Sequence, residues 1–414
     1  MNENLRYIDL FAGAGGLSEG FIREGFVPVT HLEMGKDACD TLRTRLAYHH
    51  LRLTNNLNPY YSYLKKEISR NELWDMIPHE IIQSVLHEEI TSQTIGNIFQ
   101  QIDERLDSKI VKLIIGGPPC QAYSLIGRSR DPNRMNGDKR NYLFRFYGEF
   151  LNRYKPEYFV FENVLGLLSA GTQMYLNEMI QLFESIGYTS VLQVLNAEEY
   201  GVLQRRRRVI IIGRRGKKKF PFPKIETIEN NWQIKKDLFF DLPKLKPGEE
   251  LNIAEYTKPM NEYERLTGIR NGIDFITQHI TRHHNERDLE IYSIAINKWL
   301  NGKKRLHYDE LPKRLQTHNN THAFLDRFKV IDPEGHSHTV VAHIAKDGHY
   351  YIYPDLNQVR SISVREAARI QSFPDSYYFE GGRTAAFKQI GNAVPPLMAA
   401  SLAKTIFQLL SEQK

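Results

Sequence analysis

Through the first half of the chain, apolar residues gather in short runs separated by longer polar stretches. RYIDLF (6–11), FVPVTHLE (26–33), VKLIIGG (111–117), EYFVFEN (157–163), TSVLQVLN (189–196) and RVIIIG (208–213) are short and rich in β-branched and aromatic residues. They read as strands. Between several of them the apolar positions recur at helical spacing, which predicts helices over LSEGFIREG (17–25), from about residue 36, over about 142–154 and over 172–187. Strands alternating with helices imply an α/β fold, a doubly wound and mostly parallel sheet covered on both faces. In such a sheet the ligand sits at the carboxyl ends of the strands.

From about residue 214 the pattern breaks. RRGKKKFPFPK reads as an exit linker, and the irregular stretch 214–326 reads as a second, smaller domain. Regular structure is expected to return with HTVVAHIA, HYYIYP, the helix SVREAARIQSF and the apolar run AVPPLMAASLAKTIFQLL, whose helix should pack back on the first domain. The expected division is therefore 1–213 plus 327–414 against 214–326. Residues 50–87 read as a helical, partly polar insertion whose role the sequence does not disclose, and no internal repeat is present.

A chain of 414 residues has room for one large domain and a smaller one. No apolar run has the length of a membrane helix, and MNENLRYIDL enters a strand pattern too early for a signal peptide. Two cysteines exclude a disulfide framework and a four-thiolate zinc site, and suit a reducing compartment; a cytoplasmic, bacterial protein is expected. The net charge is +6, and its location matters more. Residues 214–325 hold 21 Lys and Arg against 15 Asp and Glu, while the remainder holds 34 of each. The whole excess thus lies in the second segment. Such an excess suits a polyanionic partner; a solvated basic surface is the plain alternative.

Candidate chemistry lies at the strand ends. DLFAGAGG places Gly13, Gly15 and Gly16 between a strand and a helix, where backbone can approach a ligand closely. Such a turn serves several nucleotide-like cofactors equally well. Glu33 ends the second strand, where an acid can take ribose hydroxyls. Cys39 lies in a helix pattern and reads as a core thiol. Cys120 differs, because GGPPCQAYS holds it on a stiff loop after a strand. A rigid loop positions an attacking thiolate. Glu162, in FENV, can donate a proton or bind a ring nitrogen. QRRRR (204–208) sends four arginines into an apolar strand, a costly arrangement unless they are paired or face a ligand.

In this order, these stretches resemble the C5-cytosine DNA methyltransferase family. DLFAGAGG, GGPPCQAYS and ENV look like its cofactor, nucleophile and carboxylate motifs. QRRRR fits its Gln-x-Arg-x-Arg pattern through Gln204, Arg206 and Arg208, RNYLF (140–144) a weaker motif, and SVREAARIQSFPD and QIGNAVPP its last two. The likeness covers roughly 1–49, 86–213 and 327–414. It implies an S-adenosylmethionine-dependent methyltransferase of Rossmann-like fold, with 214–326 as the DNA-recognition domain. Cys120 would add to C6 of a flipped cytosine, Glu162 would bind N3 and the exocyclic amine, and Arg208 would contact O2 and hold Glu162. Arg206 would support the loop or contact the nucleic-acid backbone, and Pro119 would line the pocket.

The same likeness places the cofactor S-adenosyl-L-methionine. Phe11 and Met34 would flank the adenine, Gly13, Gly15 and Gly16 would lie near the methionine end, Glu33 would take the ribose, and Asn392 would close the pocket. HEEIT departs from the family's usual Asp near the third strand, and Glu89 is the residue offered for the adenine amine. The implied partners are double-stranded DNA and a cognate restriction endonuclease, with no membrane, and a monomer suffices. His283, His284, His336, His338 and His343 have no zinc spacing, and no metal is expected. A tRNA methyltransferase on the same fold and a catalytically silent DNA-binding protein are the competing readings.

Overall fold

The computed structural model describes residues 5–118, 143–169, 173–228, 231–317 and 325–412. The apolar runs form β1 (Arg6–Leu10), β2 (Val27–Glu33), β3 (Val85–His87), β4 (Leu113–Gly116), β5 (Tyr158–Asn163), β6 (Tyr188–Asn196), β7 (Gln204–Arg205) and β8 (Arg207–Arg215). All but β7 join one seven-stranded sheet in the order β3-β2-β1-β4-β5-β8-β6. Strands β3, β2, β1, β4 and β5 are mutually parallel, while β8 runs antiparallel to both β5 and β6. The expected α/β class is thus present. The reversal of β8 has a consequence for the site: its first residues lie at the edge where the parallel strands end.

Strand periodicity sorts the core into two layers. Tyr158 and Val160 of β5 pack on one face with Tyr7, Ile115 and Ile210, and Phe159 and Phe161 pack on the other with Ile8, Leu10 and Ile114. The helices are α1 (Gly16–Arg23), α2 (Lys36–Leu53), α3 (Asn58–Leu64), α4 (Arg70–Asp75), α5 (His79–Gln83), α6 (Ile95–Leu106), α7 (Leu143–Tyr154) and α8 (Met174–Ser185). The apolar faces of α6, α7 and α8 cover the Phe159 side. On the other side lie α1 and, as expected, the last helix of the chain.

The remaining elements are β9 (Glu250–Glu255), α9 (Glu262–Thr267), β10 (Phe275–Ile280), α10 (Glu286–Leu300), β11 (Ser337–His338), α11 (Val364–Ile370), α12 (Arg383–Asn392) and α13 (Pro396–Ser411). HTVVAHIA (338–345) contributes only its first residue to the two-residue β11 and forms a 3-10 turn over Ala342–Ala345. Contrary to the expectation from run length, the stretch 383–411 is apolar enough to cross a membrane. Most of it is buried in this molecule, as the core helices α12 and α13.

The core does not divide at 326. Ile234, Leu238, Phe239, Tyr263, Ile269 and Ile276 share one apolar cluster with Ile331, Val340, Ile362, Phe373, Phe387 and Ile390. Segments 231–280 and 331–393 therefore fold together, and Phe220, Phe222 and Ile225 pack instead on the sheet layer with α13. Charge reinforces the joint. The fully buried Arg369 donates to Asp241 and Asp375 at 2.6 Å and to Glu264 at 3.2 Å. Removing one member of such a network strands the others without compensation, typically at about 3–5 kcal/mol.

The insertion also acquires a place. Tyr60, Leu64, Leu73 and Ile77 pack on Tyr48 and Leu51 of α2, and against Phe275 and Tyr378. Tyrosine hydroxyls complete the bracket: Tyr60 donates to the Ser376 carbonyl at 2.7 Å, Tyr63 to Glu380 at 2.6 Å, and Tyr61 to the Gly272 carbonyl.

Candidate active site

The strand order reverses at β1, whose neighbours are β2 and β4. A crevice opens at the carboxyl ends of strands around such a point. The chain leaves β1 through Phe11, whose φ of 57° is left-handed, and through Gly13 and Gly15, at 55° and 80°. A non-glycine residue in that region is uncommon and is held there by its surroundings. The N–H of Ala12 bonds the Leu32 carbonyl at 3.0 Å, which ties the turn to β2. Gly16 opens α1 where a Cβ would lie 2.3 Å from the Val394 carbonyl oxygen. The absent side chain thus lets QIGNAVPP reach the turn from the far end of the chain. Asn392, the exposed last residue of α12, is placed by that contact.

Glu33, at the end of β2, accepts from the N–H of Gly13 at 2.9 Å and of Gly35 at 2.7 Å. One carboxylate therefore locks two turns together, and its remaining lone pairs stay available to hydroxyl donors. Met34 beside it is 59% exposed, so its side chain can lie on a flat ligand. Phe11 is half-buried against the core. A Cβ on Gly13 would meet nothing within 4 Å, which leaves open space above the turn. Phe11, Gly13, Glu33 and Met34 are thus gathered at one strand edge, an acid beside an apolar platform and close backbone, and these residues fit a nucleoside-type cofactor. Glu89 lies just past β3, exposed; the Thr94 hydroxyl bonds its carbonyl at 2.5 Å.

Beneath this turn sits a residue that motif reasoning passed over. Asp9 in β1 is 1% exposed, and neither carboxylate oxygen has a hydrogen-bond partner among the described residues. Burial, and then the nearby Glu33, push its carboxyl well above the usual range. The sequence signal was an acid inside the apolar run YIDLF. On the neighbouring strand the buried His31 bonds Ser18 at 2.7 Å, and burial, then His49, lower its pKa to about 3.

A second constellation lies across the crevice. Glu162 of β5 and Arg208 of β8 are paired at 2.7 Å, with side chains only 16% and 12% exposed. The geometry follows from register. Gly116 sits opposite Phe161, so Gly117 falls next to Glu162. A Cβ on Gly117 would lie 2.4 Å from the Glu162 carbonyl and 2.8 Å from its Oε2. Asn163 donates to the Pro118 carbonyl at 3.4 Å. The loop that carries Pro119 and Cys120 thus starts against Glu162; Pro119, Cys120 and the first part of RNYLF lie outside the described residues.

Strand alternation divides QRRRR. Arg205 is 68% exposed and Arg207 is exposed, while Arg206 is fully buried. Arg206 donates to the carbonyls of Val340 at 2.7 Å, Gly391 at 3.2 Å and Ala393 at 2.8 Å. These bonds tie Arg206 to the segment carrying Asn392. Gln204 completes the clamp, bonding Gln371 at 2.9 Å and accepting from the Val340 N–H at 2.6 Å.

The histidines do not converge. His284 bonds Ser361 at 2.9 Å, His336 bonds Glu198 at 3.1 Å, His338 bonds the Tyr350 carbonyl and His343 pairs with Asp347 at 3.5 Å. Among the described residues no group of three or more His, Cys, Asp or Glu could hold a metal ion.

Comparison with known proteins places this arrangement. The family model for C-5 cytosine-specific DNA methylase matches residues 5–58 and 65–408. The chain is 42% identical to the type II methyltransferase M.Bpa9945I of Bacillus paralicheniformis, over 98% of this chain and 99% of that one. It is 30% identical to the type II methyltransferase M.DdeI of Desulfomicrobium norvegicum, over 97% and 88%. Among solved structures, a chain assigned as a prophage-encoded DNA modification methyltransferase (E. coli) superposes with a TM-score of 0.63 at 22% identity, covering 98% and 99%. The S. pombe Dnmt2 methyltransferase does so at 0.51 and 15%, covering 99% of each chain. At those identities the structures speak for the fold alone.

Proposed function

The chain belongs to the C-5 cytosine-specific DNA methylase family, and on that premise we propose that it methylates C5 of one cytosine within a short sequence of double-stranded DNA. It would act in the cytoplasm as the modification partner of a restriction endonuclease. Two relatives carrying the name type II methyltransferase support that setting. The observation that carries the chemistry is the Glu162–Arg208 pair at the sheet edge, beside the start of the loop bearing Cys120.

The target atom is inaccessible in a duplex, so the cytosine must be extruded, at about a few kcal/mol of unstacking. The Cys120 thiolate then adds to C6, and the displaced electron pair moves through the ring toward C5 and N3. Glu162 binds N3 and the exocyclic amine, which favours that shift. Arg208, fixed to Glu162 at 2.7 Å, orients the carboxyl group and reaches O2. S-adenosylmethionine, when bound, supplies the methyl group that C5 takes up. A base removes the C5 proton, and expulsion of the thiolate restores the 5,6 double bond. Phe11, Met34, Glu33 and Glu89 would hold the adenosine, Gly13, Gly15 and Gly16 the methionine end, and Asn392 would close the pocket.

The test is expression in a host without cytosine methylation, followed by bisulfite sequencing. Cytosines protected in one short recurring sequence, and unprotected when Cys120→Ser replaces wild type, are expected. Complete conversion in the presence of soluble wild-type protein would sink the proposal.

A further inference from the structure

The basic excess is not spread over the segment 214–325. Residues 214–219 hold five Lys and Arg and no Asp or Glu, whereas 220–325 hold 16 against 15. The run Arg214–Lys219 carries almost the entire imbalance of the chain. Its position follows from the direction of β8. Arg207 and Arg208 begin that strand at the edge bearing Glu162, and Arg214 and Arg215 end it beside Tyr158 and Tyr188. Nine residues of strand separate the two ends, or roughly 26 Å at about 3.3 Å per residue. The run therefore emerges where the parallel strands begin, on the edge facing away from the catalytic crevice.

The backbone of this run is built into the sheet edge, while its positive charges have no carboxylate partner among the described residues. Arg215 bonds through its N–H to the Glu157 carbonyl at 2.9 Å and through its guanidinium to the Lys155 carbonyl at 2.8 Å. Gly216 donates to the Gly187 carbonyl at 2.8 Å and accepts from the Thr189 hydroxyl at 2.7 Å. Arg214 donates to the Lys218 carbonyl at 2.7 Å and lies over the Phe220 ring. Lys155, Arg215, Lys217, Lys218 and Lys219 are exposed, and none pairs with an acidic side chain among the described residues. On the same edge Lys112 is neutralised by Glu157. Five exposed cations are thus held within a few residues of one another with no acidic partner.

We propose that this edge is a second DNA-binding surface, which grips the phosphate backbone of a second duplex segment while the crevice engages the first. The inference rests on the reading of DNA as the substrate. The two edges face opposite ways, so a duplex held in the crevice cannot lie along both. A polyanion with one charge per about 1.7 Å of axis matches an unpaired cationic run, without regard to sequence. Holding two segments lets the enzyme pass between them during its search for a target.

The test uses two 30-base-pair duplexes of random sequence, one labelled with a donor fluorophore and one with an acceptor, at 50 mM NaCl. Wild-type protein should bring them together and give energy transfer. The variant K217Q/K218Q/K219Q, altered only at exposed side chains, should need at least about tenfold more protein, and its log–log dependence on NaCl should be shallower by about 2.7, or about 0.9 for each phosphate no longer neutralised. Transfer of a tritiated methyl group to plasmid DNA is measured in parallel and should be unchanged in the variant. Methyl transfer by wild type without bridging would overturn the second surface and leave the proposed function standing. Equal bridging by the variant would do the same, and would point to pairing through two copies of the crevice. Binding of phosphatidylserine vesicles in preference to the duplexes would overturn it in favour of a lipid surface. Failure of wild type to methylate DNA at all would overturn the function itself.

Discussion

Arg206 and Arg208, two positions apart in QRRRR, have different duties: Arg206 lies in the break between β7 and β8, and Arg208 lies within β8. Arg206, fully buried, holds three backbone carbonyls, whereas Arg208 holds one carboxylate at the sheet edge. Removing them should therefore fail in different ways. Arg206→Met takes a donor from the carbonyls of Val340, Gly391 and Ala393, the last of which keeps only a 3.4 Å bond from Gln371, and each buried acceptor left alone costs about 1–3 kcal/mol. Its melting temperature should drop, and the KM for S-adenosylmethionine should rise because Asn392 lies in the released segment. Arg208→Met should melt close to wild type but lose about 10² to 10³ in single-turnover rate, the usual effect of removing one preorganised donor. Glu162→Gln keeps an oxygen for Arg208 yet cannot exchange a proton at N3; it should slow by about 10² to 10⁴. If Arg206→Met kept full stability and lost only rate, the division of labour would be the reverse of this account.

At the scale of elements, legibility tracked length and locality. The six apolar runs announced β1, β2, β4, β5, β6 and β8 because each carries enough β-branched and aromatic residues to exceed local noise. The three-residue β3 and the two-residue β7 and β11 carry no such signal, and exist because partners across the fold complete them. Glu162 and Arg208 could be singled out from motifs, but the close approach of Gly117 to Glu162 depends on register, which spacing does not encode. Asp9 was hidden because a single acid in a strand reads as an exposed position until both faces of the sheet are known to be covered. The insertion was legible as helices and opaque as to role, since its partners Gly272, Ser376 and Glu380 lie more than 200 residues away. Its tyrosines now carry a prediction. Tyr60→Phe keeps the packing on Tyr48 and deletes the donor to the buried Ser376 carbonyl. Because Arg45 still donates to that carbonyl at 3.2 Å, urea unfolding should report a loss of about 0.5–1.5 kcal/mol; an unchanged midpoint would mean that packing alone holds the bracket.

Over the whole molecule, the joint between 231–280 and 360–377 is polar, and this makes it sensitive to acid. His279 of β10 bonds the Pro243 carbonyl and the Ser363 hydroxyl, each at 2.9 Å, and that same hydroxyl caps α11 by accepting from the Glu366 N–H. Burial lowers the pKa of His279 to about 4 from its ordinary 6.5, with the nearby Glu366 opposing. The sign follows from linkage: below pH 6.5 the unfolded chain binds a proton that the folded chain refuses, so stability falls with pH until about 4. At about 1.4 kcal/mol per pH unit, this one residue accounts for about 3 kcal/mol between neutral and pH 4. His284 and His338, lowered to about 3 and about 4 mainly by burial, act in the same direction within the same half of the molecule. Glu264, raised to about 8 chiefly by burial, acts in the opposite direction, so total stability is a poor readout and a difference is needed. Wild type should be more stable than His279→Asn at pH 7.5, and that advantage should shrink steadily as pH falls from 6.5 to 4.5. The measurement is the pair of melting temperatures across that range. A gap independent of pH would mean that the imidazole takes up its proton in the fold as readily as in the unfolded chain.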